Sequence, residues 1–366
     1  MMGAEQDLPT EESGHWWKSA YRVLAIGWAE HRMMLGITAA STIGLMIVAS
    51  GAHTSGVLLP SLDLPAVMLA EIPALNMTII AILVCRARRH ASLPEARTVL
   101  QRSLFSPDRL LGLALVPVAM LWLMLMAVGW KASIPVLHPF QFDVFLARAD
   151  QWIVGREAWE WVEPITRSVL VMRALDTAYY AWFVILAFVM LATAWAPYGH
   201  QRRRFLVAMA GLWTLGSLIG VLVSSAGPVY FSRVTGRAAG FDTLAGRVTA
   251  HAPIAAAMQA RLWHYYRSGA GQLVAGISAF PSLHVAVPAL FALAARKYWR
   301  LAATLLTALT WLGSVVLGWH YLVDGFGGIL LAMTCWFVTG LLTKAERSTP
   351  TAMASRELHR PRPGAG

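Results

Sequence analysis

Residues 110–130 read LLGLALVPVAMLWLMLMAVGW, a run of 21 residues without a charged side chain. A helix that crosses the hydrocarbon core of a bilayer needs about 20 predominantly apolar residues, so this run predicts a transmembrane helix. Runs of similar character predict further spans at 33–52, 64–85, 175–196, 205–226, 279–295, 301–318 and 322–343. Polar residues and prolines interrupt the first half of 64–85, and without that run seven spans remain. The sequence therefore predicts an all-α integral membrane protein of about eight transmembrane helices.

The composition supports the same class. Hydrophobic residues make up 57% of the chain and charged residues only 13%, whereas roughly a quarter of a soluble domain is charged. The formal net charge of +11 invites comparison with nucleic-acid-binding proteins. Most of that charge lies in short clusters beside the apolar runs, as in membrane proteins. We therefore expect a lipid bilayer as the partner, and no nucleic acid.

The distribution of basic residues predicts the orientation of the chain. Lys and Arg are concentrated in the connections 86–109, 197–204 and 296–300, and are missing from the connections 53–63 and 313–321. Cytoplasmic loops of membrane proteins carry an excess of Lys and Arg. With eight spans the two kinds of loop alternate without conflict. We expect a multi-pass protein of the cell membrane with both termini in the cytoplasm.

The run that opens the sixth span carries residues suited to anion binding. It reads Gly276-Ile277-Ser278-Ala279-Phe280-Pro281-Ser282-Leu283-His284-Val285-Ala286. Pro281 suits the first turn of a helix, where free backbone N–H groups and the helix dipole favour an anion such as phosphate. The hydroxyl of Ser282 would add a donor, and His284 lies in the same turn. A helix start with an ordinary interfacial histidine fits the pattern equally well.

A second run, Gly318-Trp319-His320-Tyr321-Leu322-Val323-Asp324-Gly325, joins the seventh span to the eighth. His320 and Asp324 are four residues apart, hence on one face if the run is helical. A carboxylate that accepts from one imidazole nitrogen leaves the other free as a nucleophile. The alternative is a structural pair that closes a helix end. In the predicted topology both histidine runs open on the same non-cytoplasmic face.

These two runs resemble the type 2 phosphatidic acid phosphatase superfamily, which includes the vanadium haloperoxidases, and in particular its branch of inositol phosphorylceramide synthases. Pro281-Ser282-Leu283-His284 is similar to the second family motif, Pro-Ser-Gly-His, with leucine in place of glycine. Ala279-Phe280 and that replacement are typical of the branch. The third motif, Ser-Arg-x5-His-x3-Asp, is matched by His320 and Asp324, but Gly313 and Ser314 stand in place of Ser-Arg.

The first family motif, Lys-x6-Arg-Pro, has no clean match at this level. The nearest segment is 227–233, just after the fifth predicted span, which ends in Arg233. We expect Arg233 to replace the missing arginine as the phosphate-binding cation, with Arg237 and Arg267 as further candidates. An ordinary basic residue at the lipid headgroups explains each of them equally well.

The resemblance covers roughly residues 175–345 and implies a six-helix lipid phosphatase-like catalytic core there. The residue patterns outside it predict a cytoplasmic N-terminal tail (1–32), N-terminal transmembrane helices (33–130), an interfacial segment (131–174) and a disordered C-terminal tail (346–366). The interfacial assignment follows from aromatic residues among Asp and Arg, which suit helices lying in the headgroup plane. An ordinary soluble loop would also fit.

By resemblance, the chain is expected to hydrolyse or transfer a phosphoryl group of a membrane lipid phosphate. His320 would attack phosphorus, Asp324 would orient the imidazole of His320, and His284 would protonate the leaving alkoxide. Ser282 and the arginines would bind the phosphoryl oxygens, and no metal or cofactor is implied. Water would complete hydrolysis, whereas a ceramide or other lipid alcohol would complete transfer, for instance of a phosphoinositol headgroup.

Two rival hypotheses belong to other functional classes. A lipid transporter would be expected to show broken helices and polar residues near the middle of the membrane. Here the polar residues cluster at helix mouths on one face, which favours an enzyme. A non-catalytic scaffold that kept the histidines and lost the arginine is the other alternative. The lipid substrate, the acceptor and the oligomeric state stay open.

Overall fold

The computed structural model describes residues 16–51, 74–82, 85, 106–237, 240–268 and 276–345, and within these ranges the chain is helical without a strand. We number the helices in chain order, and a short helical stretch at 74–82 lies between the first two. The helices are α1 Trp16–Gly51, α2 Pro107–Leu137, α3 Asp143–Val154, α4 Ala158–Trp161, α5 Glu163–Arg167, α6 Val169–Trp195, α7 His200–Leu222, α8 Phe231–Thr235, α9 Phe241–His251, α10 Pro253–Ser268, α11 Leu283–Ala294, α12 Tyr298–Val316 and α13 Leu322–Ala345.

Six of the described helices are long and apolar enough to cross a membrane. The candidate spans are Val23–Ser50, Arg109–Leu137, Val169–Trp195, His200–Leu222, Tyr298–Val316 and Leu322–Lys344. The all-α membrane class is therefore confirmed, and six of the eight expected spans have a counterpart among the described helices. The run 64–85 lies mostly outside the described residues, which include only 74–82 and 85 of it.

The expected span 279–295 differs from the structure. Its helix, α11, has 12 residues and is about 18 Å long at 1.5 Å per residue, shorter than the hydrocarbon core. Residues 276–282 are not helical, because Pro281 and the N-cap residue Ser282 delay the start of the helix. Apolar composition alone does not distinguish these extended residues from a first helical turn.

The backbone of 276–282 is paired with other parts of the protein. The N–H of Ala279 donates to the carbonyl of Ser225 over 2.8 Å, and the N–H of Phe280 donates to the Ser225 hydroxyl over 3.1 Å. The N–H of Ser282 donates to the carbonyl of Asp324 over 3.0 Å. Non-helical backbone is tolerated at membrane depth only where the protein buries and pairs it, and these bonds meet that requirement.

Helix α11 occupies the centre of the bundle. The main apolar core joins it to four long helices through Leu123 of α2, Trp182 of α6, Leu212 of α7, Leu290 of α11 and Ala332 of α13. Helix α13 comes close to α11 at Gly328, where a Cβ atom would overlap the carbonyl oxygen of Ser282. A glycine is therefore required there if the N-termini of α11 and α13 are to lie side by side.

A layer of short helices covers the end of the bundle where α11 and α13 begin. Its apolar cluster includes Leu146 of α3, Leu244 of α9 and Ala255 of α10, packed against Leu317 and Tyr321 of the connection between α12 and α13. The amphipathic stretch 131–174 thus contributes the last turns of α2, the short helices α3, α4 and α5, and the start of α6.

The first helix begins at Trp16 and its candidate span at Val23, well inside the stretch expected to be an N-terminal tail. Glu30 and His31 masked this extension in the sequence, because charged residues interrupt an apolar run. In the structure both are buried against α7. Arg202 donates from Nη1 to Glu30 Oε1 and to His31 Nε2, each over 3.1 Å. The side chains of Arg202 and Glu30 are only 3% and 8% exposed.

We predict that Arg202→Met destabilises the protein strongly, because it leaves the buried Glu30 carboxylate without its counterion. Removal of one partner of a buried pair typically costs about 3–5 kcal/mol. The matched control is Arg167→Met, which breaks an ion pair with Glu163 whose arginine side chain is 69% exposed. Such a pair contributes about 0–1 kcal/mol. Unfolding in detergent measures both variants, and equal losses would contradict the prediction.

Candidate active site

The structure brings the two histidine runs together. His284 lies in the first turn of α11 and His320 lies in the connection that precedes α13. Their ring centroids are 6.2 Å apart, and the ring planes make an angle of 53°. His320 is buried, whereas His284 is partly exposed and borders a cavity. Two imidazoles from separate hairpins thus flank one small space.

Asp324 lies directly beside His320. Oδ2 of Asp324 is 3.4 Å from Nδ1 of His320, and the same oxygen accepts a hydrogen bond from the N–H of Tyr321 over 2.9 Å. The carboxylate is fully buried. Among the described residues neither His320 Nδ1 nor Asp324 Oδ1 has a hydrogen-bond partner. Nδ1 of His320 thus faces the carboxylate of Asp324.

The imidazole of His320 is kept neutral. Burial lowers its pKa to about 3, the positive charge of Lys131 acts in the same direction, and a backbone hydrogen bond with Ala279 opposes both. A neutral imidazole retains the lone pair that a nucleophile needs. The ring of His320 is therefore uncharged throughout the physiological pH range.

Ser282 is the N-cap of α11, and its hydroxyl oxygen accepts from the N–H of Val285 over 3.4 Å. Its side chain is fully buried, and its own N–H is bound to the carbonyl of Asp324. Ser282 therefore connects the start of α11 to the start of α13. His284 lies two residues after Ser282, and Asp324 lies in the first turn of α13. The bond between Ser282 and Asp324 therefore fixes the positions of His284 and Asp324 relative to each other.

Two buried carboxylates of α3 hold the connection that carries His320. Asp150 accepts from the N–H groups of Leu322 and Val323 over 2.8 and 2.9 Å. Asp143 accepts from the hydroxyl of Tyr321 over 2.9 Å and from the N–H groups of Ala226 and Gly227. Sequence analysis did not identify these residues. Their signal was a spacing of seven, which puts both on one face of a helix.

The acidic groups near this layer hold protons more tightly than usual. Burial raises the pKa of Asp150 to about 6, with a smaller contribution from the negative charge of Asp324, against the two backbone hydrogen bonds. Burial likewise raises the pKa of Glu157 to about 7, and the nearby Asp150 and Glu160 add to this effect. Some of these carboxyl groups therefore change charge close to neutral pH.

The three arginines expected to bind phosphate lie in or next to the short helices α8 and α10. Arg233, Arg237 and Arg267 are exposed, and the guanidinium of Arg233 lies over the ring of Trp263 at 5.3 Å. No hydrogen bond or ion pair between described residues joins any of the three to His284 or His320. The role of these three arginines in phosphate binding therefore stays a prediction.

Lys131 is the cation that lies near both imidazoles, and sequence analysis did not identify it. It lies near the end of α2, lines the cavity beside His284, and acts electrostatically on both His284 and His320. Its backbone packs so tightly against Gly276 that a Cβ atom there would overlap it. The missed signal was Lys131-x6-His138-Pro139, which matches Lys-x6-Arg-Pro with histidine for arginine.

The cavity beside His284 has a volume of about 130 Å³ and is almost entirely apolar. Lys131 and His284 are its ionisable residues, and the remaining lining comes from α2, α6, α7 and α11: Leu121, Met124, Leu125, Ala127, Val128, Trp182, Phe183, Trp213 and Leu283. In the described part of the chain, no three His, Cys, Asp or Glu side chains come together as a potential metal site.

Comparison with protein families gives one match, to the PAP2 superfamily over residues 144–338, which is more than half of the chain. The matched range includes His284, His320 and Asp324, and Lys131 lies before it. Searches of curated proteins and of solved structures return no match. The match covers the superfamily as a whole and does not single out the branch of inositol phosphorylceramide synthases.

We predict that Glu157→Gln stabilises the protein at pH 8 and leaves it unchanged at pH 5. The folded-state pKa of Glu157, about 7, exceeds the ordinary glutamate pKa of 4.5, so the folded state binds a proton that the unfolded state releases in this range. Stability from this group is present below about pH 4.5 and is lost as the pH rises through 7. Thermal unfolding from pH 5 to pH 8 measures the difference, and parallel profiles would contradict the prediction.

Proposed function

The chain belongs to the PAP2 superfamily, and from this premise we propose that it is a membrane-embedded phosphatase or phosphotransferase that acts on a lipid phosphate through a phosphohistidine intermediate. The observation that carries the proposal is the proximity of the two histidines, whose ring centroids are 6.2 Å apart. Oδ2 of Asp324 lies 3.4 Å from Nδ1 of His320. A nucleophile, its orienting carboxylate and a second imidazole are the groups that such a reaction requires.

In the proposed reaction, Nε2 of His320 attacks phosphorus and the bond to the lipid oxygen breaks. His284 takes up a proton when the phosphate anion lies beside it and donates that proton to the leaving alkoxide, while Asp324 stabilises the positive charge that develops on His320. In the second half, His284 takes a proton from water or from an acceptor hydroxyl, which attacks the phosphohistidine and releases His320. Water gives hydrolysis, and a ceramide or another lipid alcohol gives transfer.

Lys131 is the cation that we propose for the phosphoryl oxygens. An ammonium group in a largely apolar surrounding attracts an anion much more strongly than it would in water. Its charge reaches both imidazoles, so an anion bound between them also lies within its field. The N-terminus of α11, where backbone N–H groups point toward the same space, favours the anion further.

The apolar cavity supports a lipid as the substrate. It begins at His284, the group that protonates the leaving oxygen, and continues between α2 and α6 along Met124, Val128 and Phe183. An aliphatic chain attached to the leaving oxygen would therefore enter apolar surroundings as soon as it leaves the reacting centre. A water-soluble phosphate ester would gain nothing from this lining.

The orientation proposed from the loops fits the position of the site in the bundle. Arg202, Arg203 and Arg204 lie in the first turns of α7, while residues 223–227, just beyond its other end, bind the segments that carry the site. The basic end and the site are thus at opposite ends of one spanning helix. With basic residues in the cytoplasm, this supports an active site on the non-cytoplasmic face, cytoplasmic termini and the eight-span topology.

We predict that His320→Ala abolishes turnover of radiolabelled lipid phosphates and prevents trapping of a phosphorylated protein in alkaline quench. His284→Ala should slow turnover by about 10²–10⁴-fold, the usual contribution of general acid catalysis. His264→Ala is the matched control, since His264 is exposed on α10. Full turnover in either active-site variant would refute the proposal, whereas lipid movement across vesicles without phosphate release would favour a transporter.

We predict that Lys131→Met lowers kcat/KM and weakens vanadate inhibition by about 10- to 100-fold, because a charged hydrogen bond to the anion contributes about 1.5–3 kcal/mol. Arg233→Met should change both quantities less than threefold, since the guanidinium of Arg233 is exposed and lies over Trp263. A large loss of kcat/KM and of vanadate inhibition in Arg233→Met, with no loss in Lys131→Met, would contradict the prediction and identify Arg233 as the phosphate-binding cation.

A further inference from the structure

Ser314 and Gly313 stand where the third family motif has arginine and serine, and neither side chain can supply a positive charge. Ser314, at the arginine position, is fully buried and donates its hydroxyl to the carbonyl of Trp311 over 2.7 Å. Its own carbonyl accepts from the N–H groups of Trp319 and His320, so it shapes the backbone of the connection. Gly313 packs against α6, where a Cβ atom would lie 3.3 Å from Cδ2 of Tyr179.

The ring of Tyr179 fills the space that Gly313 leaves open and reaches the proposed general acid. It stacks on His284 with a centroid distance of 4.9 Å and an interplanar angle of 22°. Trp182 follows three residues later, on the same face of α6, and its ring lies 4.6 Å from His284. Helix α6 therefore presents two large polar-tipped rings to the histidine.

Both rings carry a buried donor without an acceptor. Tyr179 is 4% exposed and Trp182 is 2% exposed. Among the described residues neither the Tyr179 hydroxyl nor the Trp182 indole N–H has a hydrogen-bond partner. Buried donors are nearly always paired, because desolvation without a bond is costly. Two such donors beside one histidine indicate an acceptor other than the described residues.

We propose that the Tyr179 hydroxyl and the Trp182 indole N–H donate hydrogen bonds to the non-bridging oxygens of the phosphoryl group, in place of an arginine at position 314. The proposal rests on the phosphoryl-transfer function argued above. The donors lie on the side of His284 that faces α6, and Trp182 lines the same cavity as Lys131 and His284. Three elements then surround the anion: Lys131 from α2, the two neutral donors from α6 and the N-terminus of α11.

Neutral donors differ from an arginine in a way that matters within a membrane. An arginine would add a second permanent positive charge next to Lys131, and each charge in low-dielectric surroundings needs a counterion when the substrate leaves. A hydroxyl and an indole N–H bind oxyanions without that requirement. Gly313 fits the same arrangement, because the absence of a side chain there leaves the space in which the ring of Tyr179 lies.

The test compares Tyr179→Phe with Tyr180→Phe in the full-length protein. Tyr180 is the matched control, since its hydroxyl also has no partner among the described residues, while its described ring contacts are with Tyr179 and Phe183. Tyr179→Phe is expected to lower kcat by about 10- to 100-fold and to weaken vanadate inhibition to a similar degree. Tyr180→Phe is expected to stay within about twofold of the wild type in both quantities.

Trp182→Phe tests the second proposed donor and is expected to weaken vanadate inhibition to a similar degree. Unfolding temperatures of Tyr179→Phe and Tyr180→Phe should equal that of the wild type, which separates loss of a donor from loss of packing. Equal kinetics and equal vanadate affinity in Tyr179→Phe and Tyr180→Phe, with an active wild type, would overturn this inference alone. A wild type without vanadate-sensitive turnover of any lipid phosphate would overturn the proposed function and this inference with it.

Discussion

The structure depends on one constraint of membrane proteins, namely that non-helical backbone must be paired inside the protein. Two connections of this chain, 276–282 and 317–321, are non-helical and lie where α11 and α13 begin. The first connection is bound to the start of α13, because the N–H of Ser282 donates to the carbonyl of Asp324 in the first turn of that helix. Carboxylates of α3 and the Ser225 backbone satisfy further groups. The requirement for pairing is thus what brings His284 and His320 into one place.

The electrostatic design follows from the same burial. Burial keeps His320 neutral, and Lys131 supplies positive charge at the edge of an apolar cavity. The buried carboxylates of α3 bind backbone N–H groups and so serve the positions of the site. Charge near the reacting centre is therefore sparse, and each charged group has an identifiable partner or an anion to bind. Neutral donors on α6 would complete such a site at little electrostatic cost.

Particular residues show how far prediction from the sequence extends. The apolar runs predicted six spans that the structure contains, because apolar length reflects bilayer thickness directly. The start of the first span was placed too late, because Glu30 interrupts the apolar run. Its partner Arg202 is 172 residues away along the chain, so the sequence does not show that the charge is paired. The span at 279–295 was placed too long, because Pro281 and Ser282 leave its first residues extended. The search for a cation stopped at Arg233, whereas Lys131 lies in the earlier helix α2.

Composition and local order within the sequence determined the membrane class, most of the spanning helices, and the three residues His284, His320 and Asp324 as one candidate group. Apolar length and short motifs are local properties of the chain, so they can be identified from the sequence without the tertiary structure. The tertiary structure alone decided which cation meets the imidazoles, which carboxylates hold the His320 connection, and which rings of α6 adjoin His284. These depend on the packing of helices that are far apart in the chain, and each such contact forms only when burial and pairing are satisfied together.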